Sequence, residues 1–341
     1  MARYNVGTTI AVLVALIAYL HTARADQPNA SESAGTQEPA AQQKAPEPAK
    51  KESKITAPEI TIKLLSRGMG PRKVLRYKFA AGKKSTMEIV MQNMAQSTEM
   101  MGAKQKDVVM PVVGTTTTIE NKKVSPDGTL RYEFVLTEAG VIPDPKVPPQ
   151  AVSAMDSEMK KIISANDDEM KKLIGLNGYV VITNRGIIKD SSVTIPAAAG
   201  QHVEQMVNDI RQLAVPLPEE AVGKGAKWEV HMPVNMWSLN SSQVLTYTIE
   251  ELKGDTGKFV VAFELTTPMQ KIDSPNMTAG AELYLEYLKS SGSGTMEFNL
   301  TRLVPVSTMK INTSISMNFS VVGQQQSLKS SMNMEMKIES K

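Results

Sequence analysis

Strict alternation of apolar and polar residues near the end of the chain constrains the fold most. The inward positions of a first run are Met309, Ile311, Thr313, Ile315, Met317, Phe319 and Val321. Those of a second run are Met332, Met334, Met336 and Ile338. A period of two is typical of a half-buried β-strand. Because the turn-like segment 322–326 separates the runs, the sequence predicts a closing hairpin with a methionine-rich face.

The remaining strand patterns predict an α+β fold that is mainly antiparallel β. The predicted strands are 75–79, 87–94, 108–120, 130–134, 228–232, 244–252, 259–265, 283–288 and 296–300, with a hairpin over 177–195 that turns at 184–186. The run 290–294 is rich in glycine and serine and predicts a turn. About a dozen strands in one sheet must curl, close or split.

Between these strand groups the apolar period changes to three and four residues, which predicts two amphipathic helices. The first carries Val152, Met155, Met159, Ile162, Met170 and Leu173, and the second carries Val203, Met206, Val207, Ile210 and Leu213. We expect a large curved or half-barrel-like sheet with both helices packed on one face. Residues 55–150 and 220–341 then form two β halves, joined by a helix–hairpin–helix segment over 151–215. Whether the halves are related or only similar in composition stays open.

The beginning of the chain predicts export. Residues 1–25 combine a basic residue, a short apolar stretch and a small-residue triplet, as in a cleavable signal peptide. The apolar stretch reaches only about 16 Å as a helix, roughly half of a membrane core, so no transmembrane segment is expected after cleavage. Residues 26–54 lack large apolar side chains and predict a disordered linker. The domain, 55–341, is expected to be periplasmic or extracellular.

Composition and motifs give little support for catalysis. The net charge is +3 with acids and bases interspersed, which disfavours nucleic-acid binding. Cysteine is absent, so disulfides and thiol catalysis are excluded. Neither His202 nor His231 has metal-ligand spacing, and the acidic clusters are typical of caps and solvated faces. The segment 223–225 favours a tight turn over a phosphate-binding loop. We therefore expect a protein that is not an enzyme and has no cofactor.

The 22 methionines of the chain suggest a soft, adaptable face. An apolar ligand or lipid is one occupant that such a face suits, and an ordinary methionine-filled core is the other interpretation. The candidate ligand-binding residues are Met309, Ile311, Ile315, Met317, Phe319, Met332, Met334 and Met336. A protein-interaction module of the cell envelope is the alternative function.

Copper handling is a third hypothesis. Thioethers select Cu(I), and Met332, Met334 and Met336 follow one another at two-residue spacing on one face of a strand. A second suggestive group comprises Trp228, His231, Met232, Met236 and Trp237. Strand alternation, however, places His231 and Met232 on opposite faces. The methionines of the first group also match the pattern of a core.

Two groups of short motifs resemble an exported bacterial protein family of unknown function. The first comprises 64–68, 71–72 and 75–79, which read Leu-Leu-Ser-Arg-Gly, Pro-Arg and Leu-Arg-Tyr-Lys-Phe. The second comprises 216–220 and 222–228, which read Pro-Leu-Pro-Glu-Glu and Val-Gly-Lys-Gly-Ala-Lys-Trp. The resemblance covers most of 60–340 and implies an exported protein. It transfers no catalytic or ligand residue, and the lipid-anchoring cysteine that members often carry is absent here.

Overall fold

A computed structural model describes residues 51–54, 59–105, 107–143, 157–199, 213–236, 239–272, 282–321 and 324–341. Most of these residues lie in antiparallel strands, as the alternating pattern predicts. The strands are β1 Lys51–Lys54, β2 Thr61–Ser66, β3 Met69–Val74, β4 Lys84–Met100, β5 Ala103–Lys104, β6 Val108–Val109, β7 Val113–Val124, β8 Leu130–Val141, β9 Asn177–Ile182, β10 Ile188–Ile195, β11 Ala221–Lys224, β12 Lys227–Met236, β13 Leu239–Lys253, β14 Thr256–Thr267, β15 Gln270–Lys271, β16 Glu282–Asn299, β17 Val306–Val321 and β18 Gln324–Ser340. The described helices are α1, Ser157–Lys171, and a short 3-10 turn, Ala197–Ala199.

Sixteen of the strands form one sheet that is not closed. Its main path is β1-β10-β9-β8-β7-β4-β18-β17-β16-β14-β13-β12-β2. β5 and β6 add to β4, β15 adds to β16, and β3 pairs with β11 in a separate two-stranded sheet. Because β18 pairs with β4, the strands before residue 150 and those after residue 220 are hydrogen-bonded parts of the same sheet.

Hydrogen bonds from two adjacent residues show that the sheet curves strongly. The backbone N–H of Tyr77 donates to Asn184 O at 2.7 Å, and that of Lys78 donates to Leu300 O at 2.7 Å. These two acceptors therefore lie no more than about 9 Å apart. Asn184 follows β9 and Leu300 follows β16. Six strand spacings separate β9 from β16 along the sheet, so these two strands would be about 29 Å apart if the sheet were flat. The sheet must bend so that its distant strands face one another across the core.

Curvature gives the sheet an inner face, which carries the buried side chains of the alternating pattern, and two distinct ends. At the packed end, where β9 and β16 finish, residues 75–79, 213–218 and 300–305 fill the space between strands. At the helix end, where β8 and β17 finish, α1 packs mainly against β8. The buried apolar side chains form one continuous core between these ends.

The prediction of two amphipathic helices is not supported. Within the described residues, α1 is the one α-helix, and it runs through Asn166 without a break. Residues 151–156 of the first predicted helix lie outside the described part, as do 203–212 of the second. Leu213, the last residue of the second prediction, lies in an irregular segment.

The predicted strand over 75–79 is wrong, although its alternation is real. Leu75 and Tyr77 are buried, as inward positions should be. Instead of pairing with a strand, the backbone of this segment bonds to the carbonyls of Asn184 and Leu300. The similar pentapeptide at 130–134 does form part of a strand, β8. Alternation therefore reported which side chains are buried, but not whether a ladder partner exists.

The predicted turn at 290–294 is also wrong, because these residues lie inside the continuous strand β16. The small residues are needed for close packing against β17. A Cβ atom on Gly294 would lie closer than 3.0 Å to the backbone of Thr308 and Met309. One on Gly292 would meet the carbonyl of Lys310. Glycine in this strand marks a close approach of two backbones rather than a turn.

Other local predictions are confirmed in whole or in part. The hairpin of β9 and β10 turns at 183–187, and the closing hairpin of β17 and β18 has the expected inner-face methionines. The predicted turn of the closing hairpin, 322–326, is too long, because 324–326 already belong to β18 and pair with 319–321. The predicted disordered linker, 26–54, is wrong for its last four residues, because 51–54 form β1 and pair with β10. The predicted signal peptide, 1–25, lies outside the described residues.

Candidate functional site

Methionine side chains from three neighbouring strands meet at the centre of the inner face. Met336 of β18 is paired with Met309 of β17 on one side and with Met91 of β4 on the other. Directly paired positions place their Cβ atoms about 4.5–5.5 Å apart. All three side chains are buried. The strands therefore form a row of thioethers across the middle of the sheet.

The structure places all eight predicted ligand-binding residues on β17 and β18, which are paired neighbours. Those buried in the core are Met309, Ile311, Met317, Met332, Met334 and Met336. Ile315 and Phe319 are partly buried and pack against that core. Burial of this kind is also what an ordinary core gives, so ligand binding stays a prediction.

Partly buried apolar side chains extend this face to the helix end. They are Met100, Val108, Val141, Val234, Ile272, Leu283, Ile315 and Phe319. Phe79, Val124 and Leu252 have the same partly buried state at the packed end. The helix end thus presents apolar groups from both the early and the late strands. These groups continue directly into the methionine row.

Helix α1 is fixed at this end by one carboxylate. Asp167 Oδ1 accepts the backbone N–H of Val141 at 2.9 Å, and Lys171 Nζ lies 2.5 Å from Asp167 Oδ2. The hydrogen bond from Lys171, together with that from Val141, lowers the pKa of the Asp167 carboxyl. A Cβ atom on Gly140 would lie closer than 3.0 Å to Asp167 Oδ1. Asp167 therefore ties α1 to the end of β8, and it lies inside α1 rather than at the start of a helix.

The copper candidates Met332, Met334 and Met336 are all buried on the inner face, and the residues between them, Asn333 and Glu335, lie on the outer face. Met91, which the pairing of β18 with β4 brings beside Met336, was not among the predicted candidates. Alternation of Met87, Ile89 and Met91 was the signal that could have found it. Copper binding by these thioethers stays a prediction.

The group around Trp228 is divided between the two faces of β12. Trp228 and Met232 are buried, whereas His231 points outward and lies 2.9 Å from Glu229 Oε2. The opposite orientation of His231 and Met232 is as predicted. The side chain of Met236, all of Trp237 and His202 lie outside the described part. Among the described side chains, no three of His, Cys, Asp or Glu are grouped to hold a metal ion.

Two aromatic side chains hold the backbone of 215–216 at the packed end. The backbone N–H of Val215 donates to the Tyr77 hydroxyl at 2.8 Å, and Trp228 Nε1 donates to Pro216 O at 3.1 Å. Both aromatic rings are buried. Buried polar groups of this segment are thus satisfied by side chains from distant parts of the chain.

Two arginines hold the next residues of the same segment. Arg185 Nε donates to Leu217 O at 2.9 Å, and Arg76 donates to Pro218 O at 2.9 Å. Arg185 also pairs with Glu219. Burial and the neighbouring Arg185 lower the pKa of the Arg76 guanidinium. Arg76 and residues 217–219 belong to the motifs of the family resemblance, whereas Arg185 does not, and the contacts of both arginines hold the packed end together.

Glycines of the two motif groups meet in the same region. Gly68 has a positive φ of 71°, and a Cβ atom there would lie closer than 3.0 Å to backbone atoms of Gly223, Lys224 and Ala226. A Cβ atom on Gly223 would meet Met69 O in the same way. Residues 225–226 connect β11 to β12, and the hydrogen bond from the Ala226 N–H to Gly223 O closes a tight turn there, as the sequence predicts.

The sequence matches no known protein family and no curated protein. The family resemblance therefore stays a prediction.

The part of the chain that the structure describes contains no helix long and apolar enough to span a membrane.

Proposed function

We propose that this is an exported, non-enzymatic protein of the cell envelope that binds an apolar ligand or lipid against its methionine-rich inner face. The observation that carries the proposal is the continuity of this face. The row formed by Met91, Met336 and Met309 extends along β17 to partly buried Ile315 and Phe319 at the helix end. The ligand would reach the core from that end.

The chemistry of the methionine side chains in this row supports a core that can rearrange to admit a ligand. Methionine is unbranched and polarizable, so it can repack around guests of different shape. Met317 and Met332 lie between the central row and the partly buried end and are themselves buried. A guest would replace the contacts that these side chains make within the core by contacts with its own apolar chain. Without a ligand, the same methionine side chains would fill the site, so the free protein would lose little packing.

The placement of α1 supports access at the helix end. Its contacts are mainly with one strand, β8, and Asp167 provides the hydrogen bond that fixes it to Val141. A helix held at one strand can move without breaking the ladder of the sheet. In this proposal α1 acts as the lid of the apolar site. This role requires one helix and does not depend on the second predicted helix.

Replacing Phe319 by asparagine should weaken binding of the apolar probe 1,6-diphenylhexatriene by at least about tenfold. Burial of a phenylalanine side chain contributes about 1.5–3 kcal/mol, and tenfold corresponds to about 1.4 kcal/mol. Fluorescence titration of the purified full chain measures this affinity. Circular dichroism establishes that the variant is folded.

Phe79→Asn is the matched control, since Phe79 is also partly buried but lies at the packed end. We expect it to change probe affinity by less than about twofold. Equal loss of binding in both folded variants would contradict access at the helix end. Absence of probe binding to the unaltered protein would contradict the proposed function itself.

A protein-interaction module is the second candidate, and exposed apolar side chains favour it. Met101, Val109 and Met269 are largely exposed, and each lies in or beside a short strand attached to the sheet. Exposed apolar side chains of this size can contribute to contacts with a protein partner. Cross-linking in the cell envelope would capture such a partner even if no apolar probe binds.

A further inference from the structure

The side chain of Asn166 is buried without a complete set of hydrogen bonds. It is on the face of α1 that also carries Met170, four residues later, and only 6% of it is exposed. Among the described residues its Nδ2 has no hydrogen-bond partner. An amide nitrogen left in this state destabilises the folded protein, because it has lost its water without gaining an acceptor.

The attachment of α1 to β8 does not explain why an asparagine is buried at position 166. The neighbouring Asp167 makes the bond to Val141 and pairs with Lys171. A leucine at 166 would fill the same position beside Met170 without an unsatisfied donor. Buried polar groups that lack partners call for an explanation, and a bound group that supplies the acceptor is one. Asn166 lies at the helix end, because the next residue, Asp167, bonds to Val141, and Val141 is in register with Met91 of the methionine row through Val113.

We propose that the Asn166 side-chain amide donates a hydrogen bond to the carbonyl or carboxylate oxygen of the bound ligand, an inference that rests on the proposed function. The amide nitrogen is a donor only, so its partner must be an acceptor. The apolar remainder of the ligand lies along the methionine row. The ligand class is therefore a long-chain acyl compound, either a free fatty acid or an acyl ester. A plain hydrocarbon would leave the amide unsatisfied.

Three fluorescent probes separate these cases: cis-parinaric acid, its methyl ester and 1,6-diphenylhexatriene. Asn166→Leu should weaken binding of the acid about tenfold, as expected for a lost hydrogen bond to a charged or strongly polar acceptor. It should leave the affinity for the hydrocarbon within about twofold. An equal loss for the methyl ester assigns the acceptor to an acyl carbonyl, and a loss for the acid alone assigns it to a free carboxylate.

Ser307 provides the matched control. It is also buried, and within the described residues its hydroxyl oxygen lacks a partner, but it lies at the packed end. Both Asn166→Leu and Ser307→Ala should maintain or raise the melting temperature, and Ser307→Ala should change no probe affinity. Unchanged affinity of Asn166→Leu for both acyl probes would overturn the assignment of Asn166. Failure of the unaltered protein to bind any of the three probes would instead refute the proposed function.

Discussion

Trp228→Ala is expected to lower the free energy of unfolding by about 5 kcal/mol. The indole is fully buried, and truncation of a buried tryptophan costs about 3–5 kcal/mol. Its ring stacks on Tyr247 with centroids 5.4 Å apart and meets the edge of Phe259 at 5.5 Å. The change also removes the donor to Pro216 O, which adds about 1–3 kcal/mol for a buried unsatisfied carbonyl. Urea denaturation followed by circular dichroism measures the effect.

Trp228→Phe separates the two contributions. Phenylalanine retains an aromatic ring beside Tyr247 but has no N–H to donate to Pro216, so we expect a smaller loss of about 2 kcal/mol. A loss below about 1 kcal/mol for Trp228→Ala would show that this indole does not hold the packed end together.

Gly68→Ala is expected to lower the free energy of unfolding by about 2–5 kcal/mol. The left-handed backbone conformation costs about 1–2 kcal/mol for alanine. The added methyl group must also displace the backbone of 223–226, and overpacking of a tight contact costs about 1–3 kcal/mol more. Because three backbone atoms surround the new Cβ position, no side-chain rotation can relieve the clash. Thermal and urea unfolding both report the loss.

Gly70→Ala is the control for backbone conformation alone. Gly70 has a φ of 75°, close to the 71° of Gly68, but no atom of the described residues lies within 4 Å of the position that its Cβ atom would take. We expect it to cost only the conformational term, about 1–2 kcal/mol. Equal effects of the two substitutions would refute the close approach of the two motif groups.

The sequence predicted the closing hairpin well, because a half-buried strand reports its own buried face. Alternation from Met309 to Phe319 placed β17 and its inner-face residues without knowledge of their partners. The antiparallel class of the sheet followed from the same local signal. Which strands become neighbours did not follow. The row formed by Met91, Met336 and Met309 exists only because β18 pairs with β4 as well as with β17.

Errors arose where distant contacts decide the local structure. Glycines and serines at 290–294 have the composition of a turn, but the closeness of β17 to β16 requires small residues there. Leu75–Phe79 alternates like a strand, but its backbone bonds to Asn184 and Leu300 at the packed end. Asn166 lies four residues after Ile162 and four before Met170, so the helical period does place it on the buried face, but the lack of a partner for its Nδ2 did not follow from the sequence.

Native mass spectrometry of the protein purified from its own envelope tests the central claim most directly. The proposed function predicts an added mass of several hundred daltons that is lost on denaturation and that corresponds to an acyl-chain compound. A bare protein mass, together with no binding of cis-parinaric acid or 1,6-diphenylhexatriene by the same preparation, would contradict it.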